Sequence, residues 1–198
     1  STIAGFSHTH LSGTGAGDLY DISYMPVTLP YREAEAPLGI HSKFRHSDEE
    51  ASAGYYRVLL KDYNINVELT ATERCGIQRY TFPKAQSAVF LNLKKAMNWD
   101  FTQDSHIEVV DSCTIQGYRF SDGWARGQRV FFRTRFSKPF RSSEIDTTAI
   151  IQDGKTIGTA YVARFNFDTT DGEEIVLCTA LSGVSMEGAA GNLAAEAP

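Results

Sequence analysis

The sequence predicts an all-β fold: an antiparallel β-sandwich of two large packed sheets, with a short connector helix at its C-terminal end. Apolar and polar residues alternate with a period of two in several stretches between residues 20 and 184, the pattern of strands with one buried face. Turn dipeptides separate these stretches, and a series of about ten to twelve short strands is typical of a sandwich or barrel. Aromatic residues, which favour strands, make up 12% of the chain.

Four stretches carry the strand pattern most clearly. In the first, Ile65, Val67 and Leu69 alternate with polar residues. The other three lie at residues 89–93, 130–136 and 161–167. Hairpins are predicted at Asp153-Gly154 and Asp171-Gly172, because such dipeptides suit the tight turn between two paired strands.

The C-terminal residues follow a different pattern. Ser185 is a favourable helix N-cap, and residues 186–196 after it are rich in alanine, which predicts a short helix. We therefore expect an N-terminal β-sandwich domain at residues 1–184, truncated at its start, and the beginning of a linker helix at residues 185–198. Residues 29–53 are predicted to form a long loop.

Composition argues against several classes of protein. The net charge is −5 and basic residues do not cluster, so we expect no nucleic-acid partner. No apolar run approaches the roughly 20 residues of a membrane span. The three cysteines, Cys75, Cys113 and Cys178, are widely separated, so a disulfide framework is not expected. Cys113 continues an apolar alternation and is predicted to be a buried core thiol.

Residues 5–18 form the most distinctive segment, because glycines, hydroxyl side chains and two histidines crowd it. Such a composition predicts a turn-rich loop of the kind that displays functional groups on a rigid scaffold. In an extended backbone His8 and His10 share a face, but two ligands are too few for a metal site. Two interpretations remain: contact with a substrate, or hydrogen bonds that pin the loop. Residues 13–17 lack the Lys-Ser/Thr ending of a phosphate-binding loop.

Exposed aromatic and acidic residues are the other candidates for a site. Trp124 follows a turn, and Trp99 lies in a polar stretch, so either ring could stack on a sugar, with packing inside the domain as the alternative. Asp18 and Asp21 are the carboxylates nearest the glycine-rich segment. Asp18 is predicted to bond its own backbone in a turn.

Several segments together resemble a known family. The first is Gly5-Phe-Ser-His-Thr-His-Leu-Ser-Gly-Thr-Gly15, followed by residues 17–18 and 21–26. Further matching segments follow in family order at residues 51–56, 67–72, 79–83, 117–119, 123–125, 136–140, 183–190, 192–193 and 196–198. The chain is similar over nearly its whole length to glycoside hydrolase family 92, the calcium-dependent exo-acting α-mannosidases.

The resemblance implies an N-terminal β-sandwich, a linker helix and a larger (α/α)6 barrel domain that is absent from this chain. It implies an inverting mechanism in which a glutamic acid, an aspartate and Ca²⁺ act near the scissile mannoside. The acid, the base and most Ca²⁺ ligands are expected in the barrel, so no catalytic residue is assigned here. Mannose-containing glycans and the barrel domain of the same polypeptide are the expected partners, in a secreted or periplasmic bacterial protein.

The resemblance gives the leading expectation for function. The chain would form one wall of the active site of an α-mannosidase and would be inactive by itself. The expected substrate-binding residues are Ser7, His8, His10, Ser12 and Trp124. The alternative is a carbohydrate-binding β-sandwich module without catalytic activity, and a third interpretation is a structural module that supports the barrel.

Overall fold

The structure is a computed structural model that describes residues 1–10, 19–31, 39–96 and 99–197. In this part of the chain the strands form two large antiparallel sheets, of eight and four strands, and a small two-stranded sheet. The strands are β1 (Thr2–Ile3), β2 (Ser23–Thr28), β3 (Ser42–Lys43), β4 (Glu49–Ser52), β5 (Tyr55–Leu60), β6 (Ile65–Ala71), β7 (Cys75–Phe82), β8 (Ala85–Asn92), β9 (Phe101–Asp111), β10 (Thr114–Asp122), β11 (Gln128–Phe136), β12 (Ser142–Gln152), β13 (Lys155–Thr169) and β14 (Glu173–Ser182).

The two large sheets pack around one apolar core. The eight-stranded sheet has the order β4-β5-β6-β7-β14-β11-β10-β9, and the four-stranded sheet has the order β12-β13-β8-β2. Buried side chains come from both: Val67, Tyr80 and Phe132 from the larger sheet, and Leu91 and Phe165 from the smaller. Because the two sheets bury side chains of their facing strands in this shared core, the structure confirms the predicted β-sandwich.

The four clearest strand predictions are confirmed, since they fall in β6, β8, β11 and β13. The hairpin predicted at Asp153-Gly154 is also confirmed, because this turn joins β12 to its antiparallel partner β13. Both turn residues have positive φ, 51° and 73°, as a two-residue hairpin turn requires.

The hairpin predicted at Asp171-Gly172 is wrong. Strand β13 belongs to the four-stranded sheet and β14 to the eight-stranded sheet, so the turn carries the chain from one sheet to the other. The N–H of Gly172 donates to the carbonyl of Phe82 at 2.9 Å, which ties the turn to the end of β7. An Asp-Gly turn suits a hairpin and also a connection between two sheets. The dipeptide therefore does not show which strand the next segment pairs with.

Two further predictions need correction. Cys113 is partly exposed, because residues 112–113 form the turn between β9 and β10 and the apolar alternation runs across that turn. Cys75 is the buried cysteine. The stretch predicted as a long loop contains β3, β4 and a short 3-10 helix at His46–Asp48. No helix in the described residues is long and apolar enough to cross a membrane.

The predicted C-terminal helix, α1 (Met186–Glu196), is confirmed together with its cap. The Ser185 hydroxyl accepts a hydrogen bond from the N–H of Gly188 at 3.0 Å. At the other end, the Glu196 carboxylate accepts from Arg74 Nε at 2.6 Å and from the Thr72 hydroxyl at 2.5 Å. These bonds lower the pKa of Glu196 to about 2. The C-terminal end of the helix is therefore fastened to the connection between β6 and β7.

Candidate functional site

The base of the glycine-rich segment is a pair of antiparallel arms. Residues 6–10 lie beside residues 19–24, and Phe6 and Tyr24 exchange two backbone hydrogen bonds of 2.8 and 3.1 Å. Tyr24 belongs to β2 and is fully buried, so the arms grow directly out of the sandwich core. Residues 11–18, which join the arms, lie outside the described residues.

A buried ion cluster lies beneath these arms. The Arg119 guanidinium is fully buried, and its Nη1 donates to Asp21 Oδ1 at 2.6 Å while its Nη2 donates to Asp100 Oδ2 at 3.0 Å. The second oxygen of Asp21 accepts from the Thr9 hydroxyl at 2.5 Å and from Gln128 Nε2 at 2.9 Å. A buried charge is tolerated where it is paired and hydrogen-bonded, and each charge of this cluster meets that condition.

Asp100 is the second acid of the cluster. Burial raises its pKa, and the neighbouring Arg119 guanidinium opposes that rise. Arg119 Nε donates in addition to the Thr102 hydroxyl at 3.0 Å. One arginine therefore holds the start of β9 and the residue that precedes it.

The backbone around Asp21 is strained. Leu19, Tyr20 and Ile22 have φ of 74°, 86° and 53°, in a region that side chains other than glycine rarely adopt. The value is especially costly for Ile22, whose side chain branches at Cβ, and such strain persists where the surroundings enforce it. Here Ile22 is fully buried, and Asp21 beside it is fixed by the ion cluster.

His8 points into the domain. Its Nδ1 lies 2.8 Å from the carbonyl oxygen of Ile22, and because a carbonyl only accepts, Nδ1 carries the proton. Its Nε2 is buried and has no hydrogen-bond partner among the described residues. Burial lowers the pKa of His8 to about 4, so the ring is neutral at physiological pH. A Cβ at position 76 would lie 2.4 Å from His8 Cδ2, so Gly76 gives the ring its space.

The other predicted residues have different environments. Ser7 is half-buried and lines, with His8, a groove of about 380 Å³ beside β6 and β7. His10 is exposed and bridges to Leu19 across the two arms. Ser12, Asp18 and the glycines at residues 13–17 lie outside the described residues. His8 and His10 therefore do not present a common exposed face.

Both tryptophans are exposed at the same end of the sandwich. Trp124 is 72% exposed and Trp99 is 63% exposed, so neither is packed inside the domain. Phe101 of β9 is the cross-strand partner of Asp122 of β10. Trp99 precedes Phe101 by two residues, and Trp124 follows Asp122 by two residues. The two tryptophans therefore lie in the chain segments next to the same end of the β9–β10 pair.

Sequence reasoning missed the residues that organise this end, namely Arg119, Asp100 and Gln128. The sequence does contain one indication that Arg119 is buried, because Arg119 lies on the same face of β10 as the buried Ile115. The opposite positions carry Tyr118 and Phe120, so the pattern did not show which face is buried.

The described residues do not fit a Ca²⁺ site. They contain no group of three or more His, Cys, Asp or Glu side chains that could hold a metal ion. Asp21 and Asp100 both lie in the buried cluster, but each carboxylate is bound to the Arg119 guanidinium. Ca²⁺ needs six to eight oxygen ligands. Here the two carboxylates bind the guanidinium of Arg119 instead.

Comparison with protein families gives an extensive match. Residues 1–182 match the model of the family described as "Glycosyl hydrolase family 92 N-terminal domain". No curated protein sequence is similar enough to count as a match.

Solved structures agree with the family match. A family GH92 α-mannosidase from Bacteroides thetaiotaomicron, solved by itself and in complex with mannoimidazole, is 31% identical over 98% of this chain, with a TM-score of 0.86. A family GH92 inverting mannosidase from the same organism matches 89% of the chain at 22% identity, with a TM-score of 0.71, and shares the fold. The chain spans 27% of the first protein in its complex and 23% of the second.

Proposed function

This chain belongs to glycosyl hydrolase family 92 as its N-terminal domain, and from that membership we propose that it forms one wall of the active site of an α-mannosidase. The substrates would be terminal α-mannosides of glycans. Because the chain spans only about a quarter of the length of the mannosidases it matches, we assign the activity to the longer polypeptide.

The observation that carries this proposal is the presence, at one end of the sandwich, of exposed side chains of the kinds that bind sugars. His10 and Trp124 are exposed there, and Trp99 flanks the same strand pair. Flat aromatic rings stack on pyranose faces, and imidazole groups hydrogen-bond hydroxyls, so this end has the chemistry that a glycan requires. Ser7 and Ser12 would add hydroxyl groups from the same segment.

His8 has a different role in this proposal. Its ring is neutral, directed inward and bonded to the carbonyl of Ile22, so it ties the arm that carries His10 to the strained arm at residues 19–24. The sequence left substrate contact and loop support open for this residue, and its buried position favours loop support.

The chemical step would need groups from outside this chain. An inverting glycosidase uses two carboxyl groups about 6.5–9.5 Å apart, one as acid and one as base. Asp21 and Asp100 are both engaged by Arg119 inside the domain, so neither can meet a substrate. We therefore place the acid, the base and the ligands of a Ca²⁺ ion mainly in the rest of the polypeptide.

An activity assay of two proteins tests this division. We expect the full-length polypeptide to hydrolyse an aryl α-mannoside in the presence of Ca²⁺ with inversion at the anomeric carbon. The 198-residue chain should show no turnover under the same conditions. Turnover by the 198-residue chain would contradict the division of the site.

The exposed tryptophans also favour a second function, a carbohydrate-binding module without catalysis. Two aromatic rings at one end of a β-sandwich can bind a sugar without help from another domain. Calorimetric titration of the 198-residue chain with mannobiose distinguishes the two functions. Binding that is lost in Trp124→Ala would support the module, whereas no heat change would favour the shared active site.

A further inference from the structure

We infer that Arg119 is a positioning residue whose guanidinium holds three surface segments, those carrying His10, Trp99 and Trp124, in one fixed arrangement. Under the proposed function these segments face the glycan, so Arg119 would set the shape of that wall without touching the substrate. The contacts of Arg119 and Asp21 connect each segment to the cluster by hydrogen bonds inside the domain.

The first connection runs to the histidine segment. Thr9 lies between His8 and His10, and its hydroxyl donates to Asp21 Oδ2 at 2.5 Å. The N–H of Asp21 returns a bond to the same hydroxyl at 3.2 Å. The two arms are therefore joined through Asp21, whose other oxygen is bound to Arg119.

The second connection runs to the Trp124 loop. Gln128 follows this loop as the first residue of β11, and its side-chain amide donates to Asp21 Oδ2 at 2.9 Å. At the other end of the loop, Asp122 Oδ1 accepts from the N–H of Gly127 at 3.1 Å. The loop is thus closed on itself and fastened to Asp21.

The third connection runs to Trp99. The next residue, Asp100, is 5% exposed and accepts from Arg119 Nη2 at 3.0 Å. Arg119 Nε donates to the Thr102 hydroxyl at 3.0 Å and to the carbonyl of Leu93 at 3.3 Å, which fixes both ends of the stretch around Trp99.

The planar guanidinium of Arg119 makes this arrangement possible. A guanidinium presents its N–H donors in a rigid plane, so it can bind two carboxylates and two further oxygens at fixed angles. A lysine ammonium has the same charge but only three donors on a flexible stem. Arg119→Lys therefore keeps the charge of the cluster and removes its geometry.

Fluorine NMR of the 198-residue chain labelled with 5-fluorotryptophan tests this inference. The chain has two tryptophans, so Trp99 and Trp124 give two resonances, assigned with Trp99→Phe and Trp124→Phe. We expect Arg119→Lys and Asp100→Asn each to shift both resonances by more than their linewidth. Asp100→Asn removes one of the two carboxylates that the Arg119 guanidinium binds, and we expect Trp124 to shift because the other carboxylate, Asp21, holds the Trp124 loop through Gln128.

Arg79→Lys is the matched control. Arg79 also contacts two carboxylates, Glu68 at 2.8 Å and Glu174 at 3.8 Å, but it lies exposed on β7. It should leave both resonances in place. If Arg119→Lys does not fold, Asp100→Asn decides the question by itself.

The outcomes separate this role from the proposed activity. Unchanged Trp124 in a folded Asp100→Asn chain would overturn the positioning role, whatever the full-length protein does. Shifts in both resonances would support it, even if the full-length protein hydrolyses no α-mannoside, and in that case only the proposed function fails.

Discussion

Arg119 Nη1 and Asp21 Oδ1 meet at 2.6 Å, and neither side chain is exposed to solvent. This contact joins β10 to the N-terminal arms across 98 residues of sequence. Buried ion pairs add little net stability relative to apolar packing, but removing one partner is costly because the other charge remains buried. We therefore interpret the cluster as a device for fixing geometry.

Removing the arginine should destabilise the domain strongly. Arg119→Met leaves the carboxylates of Asp21 and Asp100 buried without their cation, so the free energy of unfolding in urea should fall by about 3–5 kcal/mol. The matched variant Arg79→Met removes an exposed pair and should cost about 1 kcal/mol or less. Equal losses in the two variants would show that the buried position of Arg119 has no special effect.

His8 should make stability depend on pH. Its pKa of about 4 in the folded domain lies below the ordinary value of 6.5, so the unfolded chain binds the proton first as pH falls. This contribution is complete above pH 6.5 and declines towards pH 4, by on the order of 3 kcal/mol. His8→Asn keeps a donor near the Ile22 carbonyl and cannot titrate, so the slope in this range should flatten.

His41→Asn is the control for this titration, because His41 also places Nδ1 against a carbonyl but is exposed at the surface. The slope of unfolding free energy against pH should flatten more in His8→Asn than in His41→Asn, because burial lowers the pKa of His8. A slope that survives in His8→Asn would assign the acid sensitivity to another group.

The contact between Gly76 and His8 gives a prediction about packing. A Cβ at position 76 would come within 2.4 Å of His8 Cδ2, so Gly76→Ala should lower the free energy of unfolding by about 1–3 kcal/mol. In the background His8→Ala the same change should cost much less, because the ring is gone. Gly183→Ala is the control, since a Cβ there meets nothing within 4 Å. Equal costs with and without the His8 ring would contradict the contact.

The fold could be predicted from the sequence wherever a local pattern determines the structure. Alternation revealed strands such as β6, and the hydroxyl of Ser185 revealed the start of α1, because both signals depend on neighbouring residues. The residues Asp171-Gly172 predict a hairpin, but they carry no information about which sheet the next strand joins.

The site was harder to predict, because its parts are distant in sequence. His10 and Trp124 are exposed, as the polar and turn-rich composition around them indicates, but their contact with a substrate stays a prediction. The inward direction of His8 depends on Gly76, and the ion cluster depends on Arg119 meeting Asp21; neither contact leaves a local pattern.

The steady-state kinetics of the full-length protein on an α-mannoside test the central claim most directly. If this domain forms one wall of the active site, His10→Ala and Trp124→Ala should each lower kcat/KM by about tenfold or more, equivalent to roughly 1.4 kcal/mol of transition-state binding. The control Arg57→Ala, at an exposed position of β5 far from β10 in the sheet order, should leave kcat/KM unchanged. Folded His10→Ala and Trp124→Ala proteins with the kinetics of the parent would contradict the claim.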